Sequence, residues 1–254
     1  MSTPTVISVV VPTRDRPDAL RRCLAALTGQ TVDVEVIVSE DREGSGPAAA
    51  RNAGARRAGG DVVLFTDDDC EPDPDWAELL AGACPEGGAA AGETLNTLED
   101  DPFAAASQLL TSELQRASLR EDGTLGFAPT SNLGVSRKLL ARAPFDESYP
   151  TAAGEDREWC ARIVAGGAAL RYQPAAIVRH RQRLGLTGFW RQQVRYGRGA
   201  ARHAIAGGNL AGAGARRRLI RAAFARGLVV GLLALLAQLA VAAGFAGERL
   251  RPQR

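Results

Sequence analysis

The stretch "GGDVVLFTDDDCEPDPDW", Gly59 to Trp76, runs an apolar segment straight into three consecutive aspartates, Asp67, Asp68 and Asp69. Three carboxylates this close repel one another and are costly at the end of a buried strand, unless a cation or a set of donors compensates them. A solvated acidic loop is one reading. A divalent cation is the other, because hard oxygen ligands suit Mg²⁺ or Mn²⁺, which complete their shells with substrate phosphates and water.

Working outward, the same pattern recurs twice upstream. "VISVVVPT" reads as a buried strand, followed by "RPDALRRCLAAL", where Leu20, Cys23, Leu24 and Leu27 recur at helical spacing behind Pro17. "VEVIVSED" is a second strand ending in acids, and "GPAAARNAGARRAGG" a helix closed by glycines. The order is β-α-β-α-β. Short apolar strands alternating with helices predict a parallel sheet covered on both faces, with ligands beyond the carboxyl ends of the strands, where all three polar clusters fall.

Downstream, "PDPDWAELLAGAC" is a helix entered through prolines, "GGAAAGETL" a strand, and "PFAAASQLLTSELQRASL" helical in pattern. "LGFAPTSNLGVSRKLLARA" reads as strand, polar turn and short helix. "GEDREWCARIVAGG" is a helix with Glu155 and Asp156 in its first turn, and "ALRYQPAAIVRHR" follows it. From about Gly185, arginines and glycines dominate, in segments that read as basic amphipathic helices suited to an anionic membrane surface.

With 254 residues and 45% hydrophobic content, the chain has ample material for a core. A formal charge of +2 does not point to nucleic acid as a partner. Cys23, Cys70, Cys84 and Cys160 form no C-x-x-C pair, so neither a zinc site nor a disulfide framework is expected, and a reducing cytoplasmic setting fits. The start, "MSTPTVISVVVPT", lacks the basic region of a secretory leader. "LVVGLLALLAQLAVAAGFA", Leu228 to Ala246, holds Gln238 as its one strongly polar residue and is about as long as a bilayer-spanning helix, a buried core helix being the alternative. Arg216, Arg217, Arg218, Arg221 and Arg226 precede it and would keep the domain cytoplasmic; Arg249, Arg251 and Arg254 on the far side oppose that orientation.

The segments from "ISVVVPTRDRPDAL" through "VEVIVSEDREGSGPAAARNAGARRAGGDVVLFTDDDCEPDPDWAELL" resemble, in order and spacing, the N-terminal half of glycosyltransferase family 2, inverting enzymes of GT-A fold. The likeness covers roughly Val6 to Arg181. It implies a Rossmann-like α/β catalytic domain over residues 1–184, with a nucleotide-sugar half (1–95) and an acceptor half (96–184). A basic interfacial segment (185–227) and an apolar helix (228–246) complete the chain. In that family the acidic strand end is the D-x-D motif. The resemblance therefore implies Asp67 and Asp69 as ligands of Mn²⁺ or Mg²⁺, with Asp69 the first of them, and Asp67 and Asp68 on the donor side. Pro12, Thr13, Arg14, Glu40 and Asp41 would hold the nucleoside. Arg51, in "AAARNAG", would approach the donor phosphate or pack under the acidic motif.

The resemblance further implies Asp156 of "GEDREW" as catalytic base, Glu155 as an acceptor contact and His180 as a further metal ligand. Ser131 and Asn132 would touch the acceptor, although turn formation explains the same pair. "QQVRY", with Gln192, Arg195 and Tyr196, echoes the Q-x-x-R-W box of membrane polysaccharide synthases, with Tyr in place of Trp. The expected activity is transfer of a sugar from a nucleoside-diphosphate sugar to a hydroxyl of a lipid-linked or envelope glycan at the cytoplasmic membrane. The rivals are a sugar-phosphate nucleotidyltransferase, which needs a glycine-rich phosphate loop after the first strand, and a membrane-tethered protein without catalysis.

Overall fold

The computed structural model describes residues 6–98, 100–149, 153–208 and 213–251. The leader reading at residues 1–5 and the reading of Arg254 lie outside the described residues. A seven-stranded sheet runs through the domain in the order β2-β1-β3-β6-β5-β7-β4. Its strands are β1 (Ile7–Thr13), β2 (Glu35–Glu40), β3 (Val62–Phe65), β4 (Cys70–Pro72), β5 (Ala89–Asn96), β6 (Leu133–Ser136) and β7 (Leu170–His180).

Every residue of β1 is buried, as expected of a strand covered on both faces. Its side chains alternate between two cores. Val10 packs with Val63 and Phe65 on one side, while Val9 and Val11 pack with Leu64 on the other. The first face is covered by α2 (Pro47–Arg57), α5 (Arg137–Arg142) and α6 (Glu155–Ala165), the second by α1 (Pro17–Thr28) and α3 (Trp76–Ala83). Pro17 and Pro47 open their helices, where a missing N–H costs nothing.

The expectation of a parallel sheet holds for β2, β1 and β3, and again where β5 pairs with β7. β6 enters antiparallel between β3 and β5, and β4 closes the edge antiparallel to β7, so the sheet is mixed. Two local readings change with it. β3 stops at Phe65, so the aspartates form the turn that reverses the chain into β4. In "LGFAPTSNLGVS" the strand comes after the polar turn Thr130–Asn132, because Leu133 to Ser136 pair with β3 and Leu133 to Val135 with β5.

Outside the sheet lies a second helical layer of α4 (Pro102–Ala117), α7 (Leu186–Ile205), α8 (Ala213–Ala225) and α9 (Leu228–Arg249). Asp101 caps α4 by accepting from the N–H groups of Phe103 and Ala104 at 3.0 and 3.1 Å, with Pro102 following it. α7 and α9 meet backbone to backbone: a Cβ on Gly197 would collide with the Val241 carbonyl, and one on Gly244 with that of Val194. α9 is the one described helix long and apolar enough to cross a membrane, yet Gly231, Leu233, Ala234, Ala237, Ala240 and Gly244 are buried against the domain.

Candidate active site

The strand ends deliver acids and their partners to one edge of the sheet. Thr13, the last residue of β1, donates its hydroxyl to Asp68 Oδ2 at 2.7 Å. Arg16, in the loop that follows, bridges Asp68 Oδ1 at 2.8 Å and Asp69 Oδ2 at 2.7 Å. Asp69 Oδ1 faces His180 Nε2 at 3.4 Å, and the other nitrogen of that ring, Nδ1, lies 3.0 Å from Gln108 Oε1 on α4. Arg51, on α2, is 3% exposed and donates to Asp67 at 3.0 Å and to Glu155, at the start of α6, at 3.1 Å. Two guanidiniums, Arg51 from α2 on Asp67 and Arg16 from the loop after β1 on both Asp68 and Asp69, thus offset the three charges of one turn.

Burial pushes the Asp68 carboxyl up, and Thr13 and Arg16 offset this only in part. Burial also acts on Asp69, but there the His180 hydrogen bond and the Arg16 guanidinium win and hold the carboxyl below its ordinary range. Asp69, Cys70 and His180 bring ligand atoms within 4.8 Å of one another. Burial drives the Cys70 thiol well above its usual value, so it stays protonated and is a poor ligand for a hard cation. A carboxylate and an imidazole, with Asp67 lining the same cleft, are a donor set suited to Mn²⁺.

Gly154 starts α6 with φ +96°, a left-handed conformation that disfavours a side chain, and a Cβ there would come within 2.9 Å of Gly199 on α7. This sharp entry turns Glu155 and Asp156 into a cleft of about 850 Å³. The cleft is also lined by Asp67, Asp69, His180 and Ser131, and by Gln192, Arg195 and Tyr196 of α7. Asp156 is half-buried and accepts from the Arg157 N–H at 2.7 Å. Burial, then the charge of Glu155 beside it, pushes its carboxyl up to about 7 against the opposing pull of Arg157. A carboxylate of that basicity is suited to accepting a proton near neutral pH.

The structure also shows what the remaining expected site residues touch. Of the two roles expected for Arg51, packing under the acidic turn is the arrangement seen, with both arms engaged by Asp67 and Glu155 at the floor of the cleft. Glu155 is 4% exposed, holds Arg51 and lines the cleft beside Asp156. Asn132 is fully buried: it donates to Glu93 O and Ala176 O at 2.9 Å and accepts from the Trp76 indole at 2.9 Å. Its capacity is spent inside the sheet, leaving Ser131 alone of that pair in the cleft. Asp68 is likewise buried beneath Thr13 and Arg16.

Pro12, Thr13, Arg14, Glu40 and Asp41 gather at the carboxyl ends of β1 and β2, where Thr13 pairs with Glu40 in register. Asp41 accepts from the N–H groups of Ser45 and Gly46 at 2.7 and 3.0 Å, shaping the loop into α2, and Arg14 lies 3.9 Å from it. Glu40 pairs with Arg42 at 2.6 Å on the surface. Arg16 is the residue the sequence reading passed over. Its signal was a cation just beyond the first strand, at the same sheet edge as three acids.

A family model described as Glycosyl transferase family 2 matches residues 33–142. A Pre-mycofactocin glycosyltransferase of Mycobacterium tuberculosis is 30% identical over 228 aligned residues, covering 78% of this chain and 47% of that protein. The chain thus spans about half the length of the curated relative it matches. Among solved structures, the mannosyltransferase PcManGT from Pyrobaculum calidifontis, in complex with GDP-Man and Mn²⁺, superimposes with a TM-score of 0.57 at 18% identity, covering 100% of this chain and 77% of that one. S. aureus TarS gives 0.51 at 16% identity, over 85% of this chain and 42% of that one. Likeness at such identities establishes the GT-A fold.

Proposed function

The chain carries a glycosyltransferase family 2 domain, and from that premise we propose that it moves a sugar from a nucleoside-diphosphate sugar to a hydroxyl acceptor, with inversion. The observation that carries this reading is that one cleft joins the acids of the β3–β4 turn to a carboxylate, Asp156, whose affinity for a proton is set near neutrality. In a single displacement, Asp156 takes the acceptor hydroxyl proton while the acceptor oxygen bonds to the anomeric carbon, and the diphosphate departs with the electron pair of the broken bond. Asp69 and His180, with Asp67 beside them, would hold a divalent cation that neutralises charge on the leaving diphosphate. Arg16 adds a fixed positive charge at the same place, and the strand ends at Thr13, Arg14, Glu40 and Asp41 form the side from which the nucleoside is held.

We place the domain at the cytoplasmic face of a membrane, with a lipid-linked or envelope glycan as acceptor. The support is α9, which exposes Leu228, Val229, Leu232, Leu235 and Leu239, and the exposed Arg216, Arg217, Arg218, Arg221 and Arg226 before it. An apolar stripe beside a basic segment suits an anionic bilayer surface. The opposite face of α9 is committed to α7, so the helix lies along the surface in this reading and does not cross it.

The test is a thermal-shift and turnover screen of the full chain against UDP- and GDP-sugars, with and without Mn²⁺, beside Asp69→Ala. A donor that stabilises the protein only with metal, and fails to do so in Asp69→Ala, upholds the reading. No shift with any nucleotide sugar overturns it.

A further inference from the structure

α9 carries three stripes of different character, which divide its circumference into thirds at about 100° per residue. Leu233, Ala237, Ala240 and Gly244 are buried, the last against the Val194 carbonyl of α7. Leu228, Leu232, Leu235 and Leu239 face outward. The third stripe, Gln238, Val241, Ala242 and Phe245, lines the cleft that contains Asp156 and the acidic turn. Its positions follow the three- and four-residue spacing of one helix face.

This third stripe is not core. Val241, Ala242 and Phe245 belong to neither hydrophobic cluster that fastens α9 to α4, α7 and α8, and Ala242 is exposed. Across the cleft, α4 contributes Leu110 and Leu114, both half-buried. The cleft thus carries charged groups at the sheet edge and the start of α6, and on the helical layer an apolar patch of Val241, Ala242, Phe245, Leu110 and Leu114 set among polar side chains such as Thr111, Gln192 and Arg195. Its volume, about 850 Å³, lies high in the range of about 300–1,000 Å³ usual for sites that enclose a whole small molecule. That patch gains nothing from a sugar hydroxyl, which finds its partners on the polar side chains around it, whereas an apolar body seated on the patch leaves water.

We propose that this apolar patch is an acceptor subsite. The acceptor is an amphiphile, with a hydroxyl-bearing polar head at Asp156 and an alkyl or aryl body seated on Val241, Ala242 and Phe245 opposite Leu110 and Leu114. The inference rests on the transferase reading and adds its substrate class. α9 then has two separate duties, its outer stripe for the surroundings and its cleft stripe for the substrate, so the last helix is part of the catalytic unit.

The probes are n-octyl β-D-glucoside, kept monomeric, and methyl β-D-glucoside, with binding to the full chain measured by calorimetry. The octyl compound is expected to bind about tenfold tighter or better, since its additional methylenes leave water for the patch. Val241→Asp should erase that preference, and Leu239→Asp, on the outer stripe, should leave it intact. Ala242→Gln, at an exposed position that does not support the fold, should weaken the preference even if Val241→Asp proves unstable. Equal binding of the two glucosides overturns the proposal, as does a preference that Leu239→Asp removes and Ala242→Gln does not. Stabilisation by nucleotide sugar is read separately on the same samples. If it persists while the octyl preference is absent, only the acceptor subsite falls, whereas its absence throughout removes the transferase reading beneath it.

Discussion

The sheet edge and the helical layer face each other across one cleft and are built on opposite principles. At the sheet edge, position comes from charge: buried Arg51 ties Asp67 to Glu155, half-exposed Arg16 ties Asp68 to Asp69, and the acids stay where these cations hold them. In the helical layer, position comes from the absence of side chains, with Gly197 and Gly244 letting α7 and α9 touch through their backbones. An edge held by ion pairs fails when one partner is removed, and a seam held by shape fails when one methyl group is added.

The largest expected effect breaks the first region. Arg51→Ala leaves Asp67 and Glu155 without their shared cation, and should cost about 3–5 kcal/mol of stability by chemical denaturation, the usual penalty for removing one partner of a buried pair. Next is the seam. Gly244→Val places a side chain against the Val194 carbonyl and should cost about 1–3 kcal/mol, with loss of the cleft wall as α9 shifts outward. Denaturation, together with accelerated proteolysis within α9, would register it. If Gly244→Val is neutral, the close approach of the two helices is not what holds the layer.

A smaller effect sharpens the comparison, because Asp156 lies where the two regions meet. Its carboxyl titrates near 7 in the folded chain, against an ordinary value of 3.8, so the folded state disfavours its charge. Stability contributed by the neutral carboxyl is fully present below about pH 4 and is lost as pH rises through about 7. Asp156→Asn should therefore be more stable than the parent by on the order of 1–3 kcal/mol at pH 8 and indistinguishable near pH 3. Denaturation at the two pH values checks both sign and window. The smallest effect lies on the outer stripe: Leu239→Gln should change stability by no more than about 0.5 kcal/mol while weakening flotation with anionic vesicles.

The same contrast explains what the sequence made legible. "VISVVVPT", "VEVIVSED" and "DVVLFTDDD" announce buried strands and their acidic ends through local pattern alone, and the site is built from those ends. The antiparallel entry of β6 is invisible at that level, because "LGVS" is as apolar as any parallel strand and its direction is fixed by pairing with β3 and β5. Asn132 reads as a turn residue, and its three buried hydrogen bonds come from Trp76, Glu93 and Ala176, all remote in sequence. In the tail, the apolar run hid its division into stripes. Gln238, the one strongly polar residue there, was the trace of the face that turns to the cleft.

The central claim is that Asp156 takes the acceptor proton in the cleft whose sheet edge holds the donor. It is tested most directly by Asp156→Asn, comparing donor-induced thermal stabilisation in the presence of Mn²⁺ with transfer rate between pH 5.5 and 8.5. The account predicts that stabilisation by donor is retained, that transfer falls by about 10²–10⁴-fold, and that the parent's loss of rate below about pH 7 disappears in the variant. A variant that transfers at the parent rate, or that keeps the parent's pH dependence, contradicts it.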